Sequence, residues 1–257
     1  MLKSIKQITI FGSRGQMGRL FFKKAKNSGY LVYGFDLPLN LQDIEDALSR
    51  SDLILLCVPI KSLTNVLKEI SFYLHSSQIL MDICSVKVLP LQMMEESFSG
   101  PVVGSHPLFG PDLKDDFRKI ALCPGKISES EMELVYTFWQ DLGFDPFIVS
   151  AVEHDKAMAY IQGLNFITNL TYFAYKAGQK EIEQFITPSF QRRMDSAYKM
   201  LVKDFRLFAD LFEKNPYSGE SVRQFKSYLN LAAAGDLEVL AEKAWWWWRN
   251  IKIKGGP

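Results

Sequence analysis

The chain has 257 residues, 47% hydrophobic and 23% charged, with a formal net charge of +1. This is an ordinary globular composition, long enough for a sizeable core and two domains, and its near-neutral charge gives no electrostatic case for nucleic acid or an acidic membrane surface as partner. Cys57, Cys84 and Cys123 are widely spaced with no metal-binding pattern, Met1-Leu2-Lys3-Ser4-Ile5-Lys6 opens no signal peptide, and no apolar run approaches the ~20 residues that span a bilayer, so a reduced, cytoplasmic protein without metal is expected.

Taken in order, Gln7-Ile8-Thr9-Ile10-Phe11 predicts a strand, Gly12-Ser13-Arg14-Gly15-Gln16-Met17-Gly18 a glycine turn, and Arg19 to Ala25 a helix. A strand, a glycine turn and a helix in that order form a pyrophosphate cradle, because the backbone can approach the phosphates and the helix N-terminus faces them. Gly12, Gly15, Gln16, Met17 and Gly18 are therefore the first candidate cofactor residues. Tyr30 to Phe35 predicts the next strand, closed by Asp36, where a carboxylate accepts both ribose hydroxyls and repels a 2′-phosphate. NAD is expected over NADP. Arg14 in the same loop is open to two readings, a phosphate contact or a solvated cation.

The alternation continues and predicts a mainly parallel sheet. Asp43 to Leu48 reads as a helix, Asp52 to Cys57 as a buried strand, and Val58-Pro59 as a break facing the nicotinamide side of the cofactor. Thr64 to Phe72 reads as a helix and Gln78 to Ile83 as a strand. Ser85-Val86-Lys87 follows at that strand's carboxyl end, where ligands bind in open α/β sheets. Ser105-His106-Pro107-Leu108-Phe109-Gly110-Pro111 is expected to hold one imidazole in a rigid turn after Val102-Val103, at the same sheet edge as Ser85. Lys119 to Pro124, a helix from Ser128 to Leu142, and Pro146 to Val149 complete the first domain, residues 1–150.

From Ala151 the alternation stops and a helical domain, residues 151–257, is expected. Val152 to Ala177, Ser189 to Phe212 and Ser221 to Ala233 carry apolar residues at helical spacing, more than a small helical domain can cover alone. A homodimer is therefore expected. Trp245-Trp246-Trp247-Trp248 is read as core plus one interfacial ring rather than a stacking site, since four consecutive helical residues cannot share one pocket. The tail Ile251 to Pro257 is expected to fray.

The set Gly12-x-x-Gly15-Gln16-Met17-Gly18, Val58-Pro59, Ser85-Val86-Lys87, Gly104-x-His106-Pro107-x-Phe109-Gly110-Pro111 and Glu153-His154-Asp155-x-x-Met158-x-x-Ile161-Gln162 resembles prephenate dehydrogenase over nearly the whole chain. The resemblance implies a Rossmann-type domain followed by an all-helical dimerisation domain. It implies NAD-dependent oxidative decarboxylation of prephenate to 4-hydroxyphenylpyruvate, towards tyrosine, in a chain without the fused chorismate mutase or ACT domains of some relatives. His106 would be the catalytic base, with Ser85 hydrogen-bonding to it or to the substrate hydroxyl, and Gln162, Asn165 and Lys199 at the substrate. Two positions depart from the family: Phe166 stands where a His is common, and Lys199 where an Arg binds a carboxylate, with Arg192 and Arg193 two turns earlier. Arogenate or 4-amino-4-deoxyprephenate is therefore an alternative substrate. A sensor that binds NAD without turnover is an alternative of another class, and a small hydroxy-acid dehydrogenase using Lys156 a third.

Overall fold

The computed structural model describes residues 4–38, 41–112 and 117–250. The expected fraying of the tail lies outside the described residues. Strands and helices alternate through β5: β1 (Gln7–Phe11), α1 (Gln16–Asn27), β2 (Leu31–Phe35), α2 (Leu41–Arg50), β3 (Leu53–Leu56), α3 (Ile60–Ile70), β4 (Ile79–Asp82), α4 (Val88–Ser97) and β5 (Val102–Pro107), after which β6 (Lys119–Pro124) follows with no α-helix between them among the described residues. Then come α5 (Glu129–Asp141), β7 (Asp145–Ile148) and α6 (Ala151–Met158), a π-helical stretch (Ala159–Leu164), α7 (Asn165–Tyr175) and α8 (Pro188–Tyr198). A second π-helical stretch (Lys199–Lys203), α9 (Phe205–Lys214), α10 (Ser218–Ala234) and α11 (Leu237–Asn250) complete the described chain.

The seven strands form one sheet in the order β2-β1-β3-β4-β5-β6-β7, parallel except where β6 runs antiparallel to β5. Strand residues alternate between faces, so Leu53 and Leu55 pack with Phe21 of α1 and Val135, Phe138 and Trp139 of α5. Ile54 and Leu56 pack on the opposite face with Ile44 of α2, Leu63 and Leu67 of α3 and Met94 of α4. Two covered faces explain the unbroken apolar run of β3. Because β2 and β3 lie on either side of β1, the loops after β1 and β3 part at a crevice, the usual ligand position in such sheets.

The chain packs as two units, Met1–Met158 with Ala209–Asn215, and Ala159–Phe208 with Pro216–Pro257. The short segment from α9 thus belongs with the sheet. In the second unit Phe166 is buried and stacks on Phe208 at 6.1 Å, with Phe205 at 5.9 Å.

The structure corrects four expectations here. The helix expected over residues 152–177 is interrupted by the π-helical stretch at 159–164, and that expected over 189–212 by a second one ending at Asp204. The four tryptophans are not core: Trp245, Trp246, Trp247 and Trp248 are 50%, 51%, 38% and 65% exposed, because four consecutive residues spread around α11 and no single packed side takes them all in; Trp247 stacks on Tyr160. His106 is not in a turn: it lies inside β5, where the ladder to Ala121 of β6 holds it extended and 3% exposed.

Candidate active site

The crevice between the loops after β1 and β3 is built from backbone. Gly12 has φ of +82°, and a Cβ there would stand 2.3 Å from the Cys57 carbonyl oxygen; a Cβ on Gly18 would stand 2.0 Å from the Gly12 oxygen. Only glycine permits this approach of strand, loop and helix. α1 starts at Gly15 without a side-chain cap and has no acidic residue in its first turn, so its free N–H groups face the loop and favour an anion. Met17 packs on the core while Gln16 is exposed. A cleft of about 240 Å³ is lined by Gly12, Gly15, Asp36, Cys57, Val58 and Pro59 among others. The structure thus brings together the glycines, Asp36 and Val58-Pro59.

Asp36 is held before any ligand reaches it. Ser13 Oγ donates to Asp36 Oδ2 at 2.6 Å, and the Arg14 backbone N–H lies 3.0 and 3.1 Å from the two carboxylate oxygens. The carboxylate keeps acceptor capacity for a ribose hydroxyl beside these contacts. The Arg14 side chain is 84% exposed with Nε 3.9 Å from Asp36, a weak solvated pair. These features fit a dinucleotide with an unphosphorylated ribose.

A second cluster lies at the carboxyl ends of β4 and β5, in the same unit. His106 Nδ1 is 2.9 Å from His154 Nε2, and His154 Nδ1 is 2.8 Å from Asp155 Oδ1. Asp155 accepts the Lys87 N–H at 2.7 Å on Oδ1 and the Val88 N–H at 2.9 Å on Oδ2, so its carboxylate serves as acceptor throughout. That fixes the protons in the neutral pair. His154 must donate from Nδ1, its Nε2 must accept, and His106 must donate from its own Nδ1. Among the described residues nothing bonds to His106 Nε2, whose lone pair is left as the basic site. Burial, then the neighbouring His154 and Lys87, push the His106 pKa well below its usual value of 6.5, so the ring stays neutral at physiological pH.

Beneath the relay lies a fully buried ion pair. Lys87 Nζ donates to Asp82 Oδ1 and Oδ2 at 2.7 and 2.6 Å and to the Ser105 carbonyl at 2.7 Å, while Cys84 N–H and the Asp82 carboxylate meet at 2.7 Å. Every donor of this ammonium is used, which makes its burial tolerable and ties β4 to β5 beside His106. Cys57 and Cys84 have thiol pKa values raised by burial and by Asp82, which makes them inert.

Ser85 and His106 share this sheet edge, but among the described residues no hydrogen bond joins them. Ser85 is half-buried, and the partner of His106 is His154. Sequence reasoning noted Glu153-His154-Asp155 as a motif without giving it this role. Glu153 serves instead at the start of α6, where its carboxylate accepts from Ser150. Gln162, Asn165 and Lys199 belong to the second unit: Gln162 is half-buried in the first π-helical stretch, Asn165 exposed at the start of α7, and Lys199 exposed at the start of the second π-helical stretch. Arg193 stacks over the Tyr172 ring at 3.7 Å. No cluster of metal-binding side chains occurs, and no helix is long and apolar enough to cross a membrane, among the described residues.

Residues 31–145 match the family description "Prephenate dehydrogenase, nucleotide-binding domain". The T-protein of Enterobacter agglomerans is 32% identical over 212 residues, 80% of this chain and 56% of that protein. A probable arogenate/prephenate dehydrogenase of Methanocaldococcus jannaschii is 25% identical over 235 residues, 81% of this chain and 52% of that protein. The chain thus spans about half the length of these relatives. Among solved structures, prephenate dehydrogenase from A. aeolicus, in complex with hydroxyphenyl propionate and NAD+, superposes with a TM-score of 0.78 at 22% identity, covering 95% of this chain and 96% of that one. That likeness shows the fold.

Proposed function

The nucleotide-binding domain of this chain is that of the prephenate dehydrogenase family, and from that premise we propose that the protein catalyses NAD-dependent oxidative decarboxylation of prephenate to 4-hydroxyphenylpyruvate. The observation that carries this reading is the His106–His154–Asp155 relay, which leaves a neutral imidazole with its Nε2 lone pair unengaged. Gly12, Gly15, Gln16, Met17, Gly18, Val58 and Pro59 would hold NAD, with Asp36 as acceptor for its ribose hydroxyls, and the bound cofactor would supply the hydride acceptor.

The ring of the substrate gains aromaticity when its carboxylate leaves as CO2 and hydride leaves C4, so no strong base is required. His106 Nε2 accepts the hydroxyl proton as the C4 oxygen becomes a carbonyl, and Asp155, through His154, stabilises the imidazolium that forms. The fully buried relay keeps water from competing for that proton. Ser85, half-buried at the same edge, is assigned the substrate hydroxyl rather than the imidazole. Lys199 is assigned the ring carboxylate as a point charge, and Gln162 and Asn165 are assigned further polar contacts to the substrate. Phe166 has become an aromatic core residue, so nothing polar at that position contacts substrate.

A homodimer is part of the proposal. Among the described residues only Ala159, Leu164, Phe166 and Ala197 are buried apolar residues of the second unit, while Tyr172, Tyr198, Val202, Leu229 and the four tryptophans are exposed. A second copy covers such a surface by self-complementarity. A place in the cytoplasm accords with the three free thiols.

The test is NADH formation at 340 nm with prephenate, arogenate and 4-amino-4-deoxyprephenate offered in parallel. Turnover of prephenate above the other two is the expected result. Preference for an amine at C4 would reassign the substrate, and silence on all three with NAD still bound would establish the sensor.

A further inference from the structure

The segment Ala209–Asn215 packs with the sheet although its sequence neighbours on both sides belong to the second unit. Among the contacts that hold it, three lie beside candidate functional residues. Asp210 Oδ1 pairs with Lys61 Nζ at 2.5 Å, two residues beyond Pro59. Leu211 packs against Ile60, Cys84 and Val86, which flank Val58-Pro59 and Ser85. Asn215, 6% exposed, donates from Nδ2 to the Asp155 carbonyl oxygen at 2.7 Å.

We propose that Asn215 is a positioning residue of the relay: by holding the Asp155 main chain it keeps the Asp155 carboxylate on His154 and thereby fixes the proton of His106 on Nδ1. The inference rests on the relay reading above. Asp155 sits in α6 one turn before the junction with the π-helical stretch, where the ladder changes from i→i+4 to i→i+5. Such junctions leave helix backbone short of regular partners and loosen its course, so an outside donor has a place to act. The carboxylate of Asp155 has its two oxygens on Lys87 N–H, Val88 N–H and His154, and each bond depends on where α6 puts the Cα of Asp155. Asn215 reaches that backbone from a distant part of the chain.

The experiment uses histidine-labelled full-length protein and a long-range ¹H–¹⁵N correlation spectrum. The chain has three histidines, His75, His106 and His154, so each ring is resolved individually. Wild type is expected to show His106 as a single Nδ1–H tautomer. Asn215→Ala, and Asn215→Asp as a near-isosteric variant lacking the amide donor, are expected to show His106 averaging between tautomers, a kcat roughly 10-fold lower and an unchanged Kd for NAD. Lys61→Ala, which removes another anchor of the same segment, is expected to lower the melting temperature and leave the tautomer intact. If wild type lacks the single tautomer, the relay reading itself fails. If wild type has it and both folded Asn215 variants keep it, the role given to Asn215 is overturned.

Discussion

The two buried rings make different demands on a proton, and the acidic group behind them settles which nitrogen keeps it. Asp155→Asn keeps shape but adds an N–H2 where every partner needs an acceptor. If that amide faces His154 Nδ1, His154 donates from Nε2 and the proton of His106 moves to its own Nε2, the atom that must accept. A kcat loss of more than ~10² is expected, in the direction seen for other triads when the orienting carboxylate becomes an amide; a single-turnover measurement at saturating NAD checks it. His106 also marks the stability curve. Its folded pKa is depressed below the unfolded value of 6.5, so its contribution is complete above that value and is lost as pH falls towards the folded pKa. Urea midpoints at pH 7 and pH 5 should therefore differ more in wild type than in His106→Asn. Asp36 governs the other end of the site: Asp36→Ala should weaken NAD and narrow the preference over NADP. An unchanged ratio of the two dissociation constants would remove its ribose role.

At the level of elements, the glycine loop makes the sharpest demand. Gly18→Ala places a Cβ against the Gly12 carbonyl and must push α1 off β1, which overpacking data put at a cost of about 1–3 kcal/mol. The melting temperature should drop and NAD affinity fall with it. This cradle was legible in the sequence because it is local: seven consecutive residues define the turn, and the period of the flanking runs defines strand and helix. The βα alternation through β5 was legible for the same reason, whereas the antiparallel pairing of β6 on β5 carries no local signal. The relay was not, because α6 must return to the carboxyl ends of β4 and β5 before His154 meets His106, 48 residues earlier. Asn215 lies 60 residues beyond Asp155 and carries no spacing signal at all. His106 was expected in a turn because Pro107 and Gly110 suggest one, yet the antiparallel partner β6 draws it into the ladder. The π-helical stretches escaped detection since a single wide turn hardly disturbs a helical apolar pattern.

Seen whole, the chain pairs a well-filled α/β unit with a helical unit whose apolar surface is mostly uncovered. The aromatic spread of Trp245 to Trp248 illustrates why composition misled: four adjacent residues point around a helix, so their own unit covers only part of them. Light scattering on a size-exclusion column should give twice the chain mass at micromolar concentration, and tryptophan emission should shift on dilution, because Trp139 is buried within the sheet unit and the other four report on the covered surface. A monomer at all concentrations would reject the dimer. The measurement that tests the central claim most directly is the pH dependence of kcat/KM for NADH formation from prephenate, for wild type and His106→Asn. A neutral buried base predicts an acid limb below pH 6.5 in wild type and a rate loss of ~10²–10⁴ in the variant. An acid limb at or above 6.5, or a variant as fast as wild type, would contradict it.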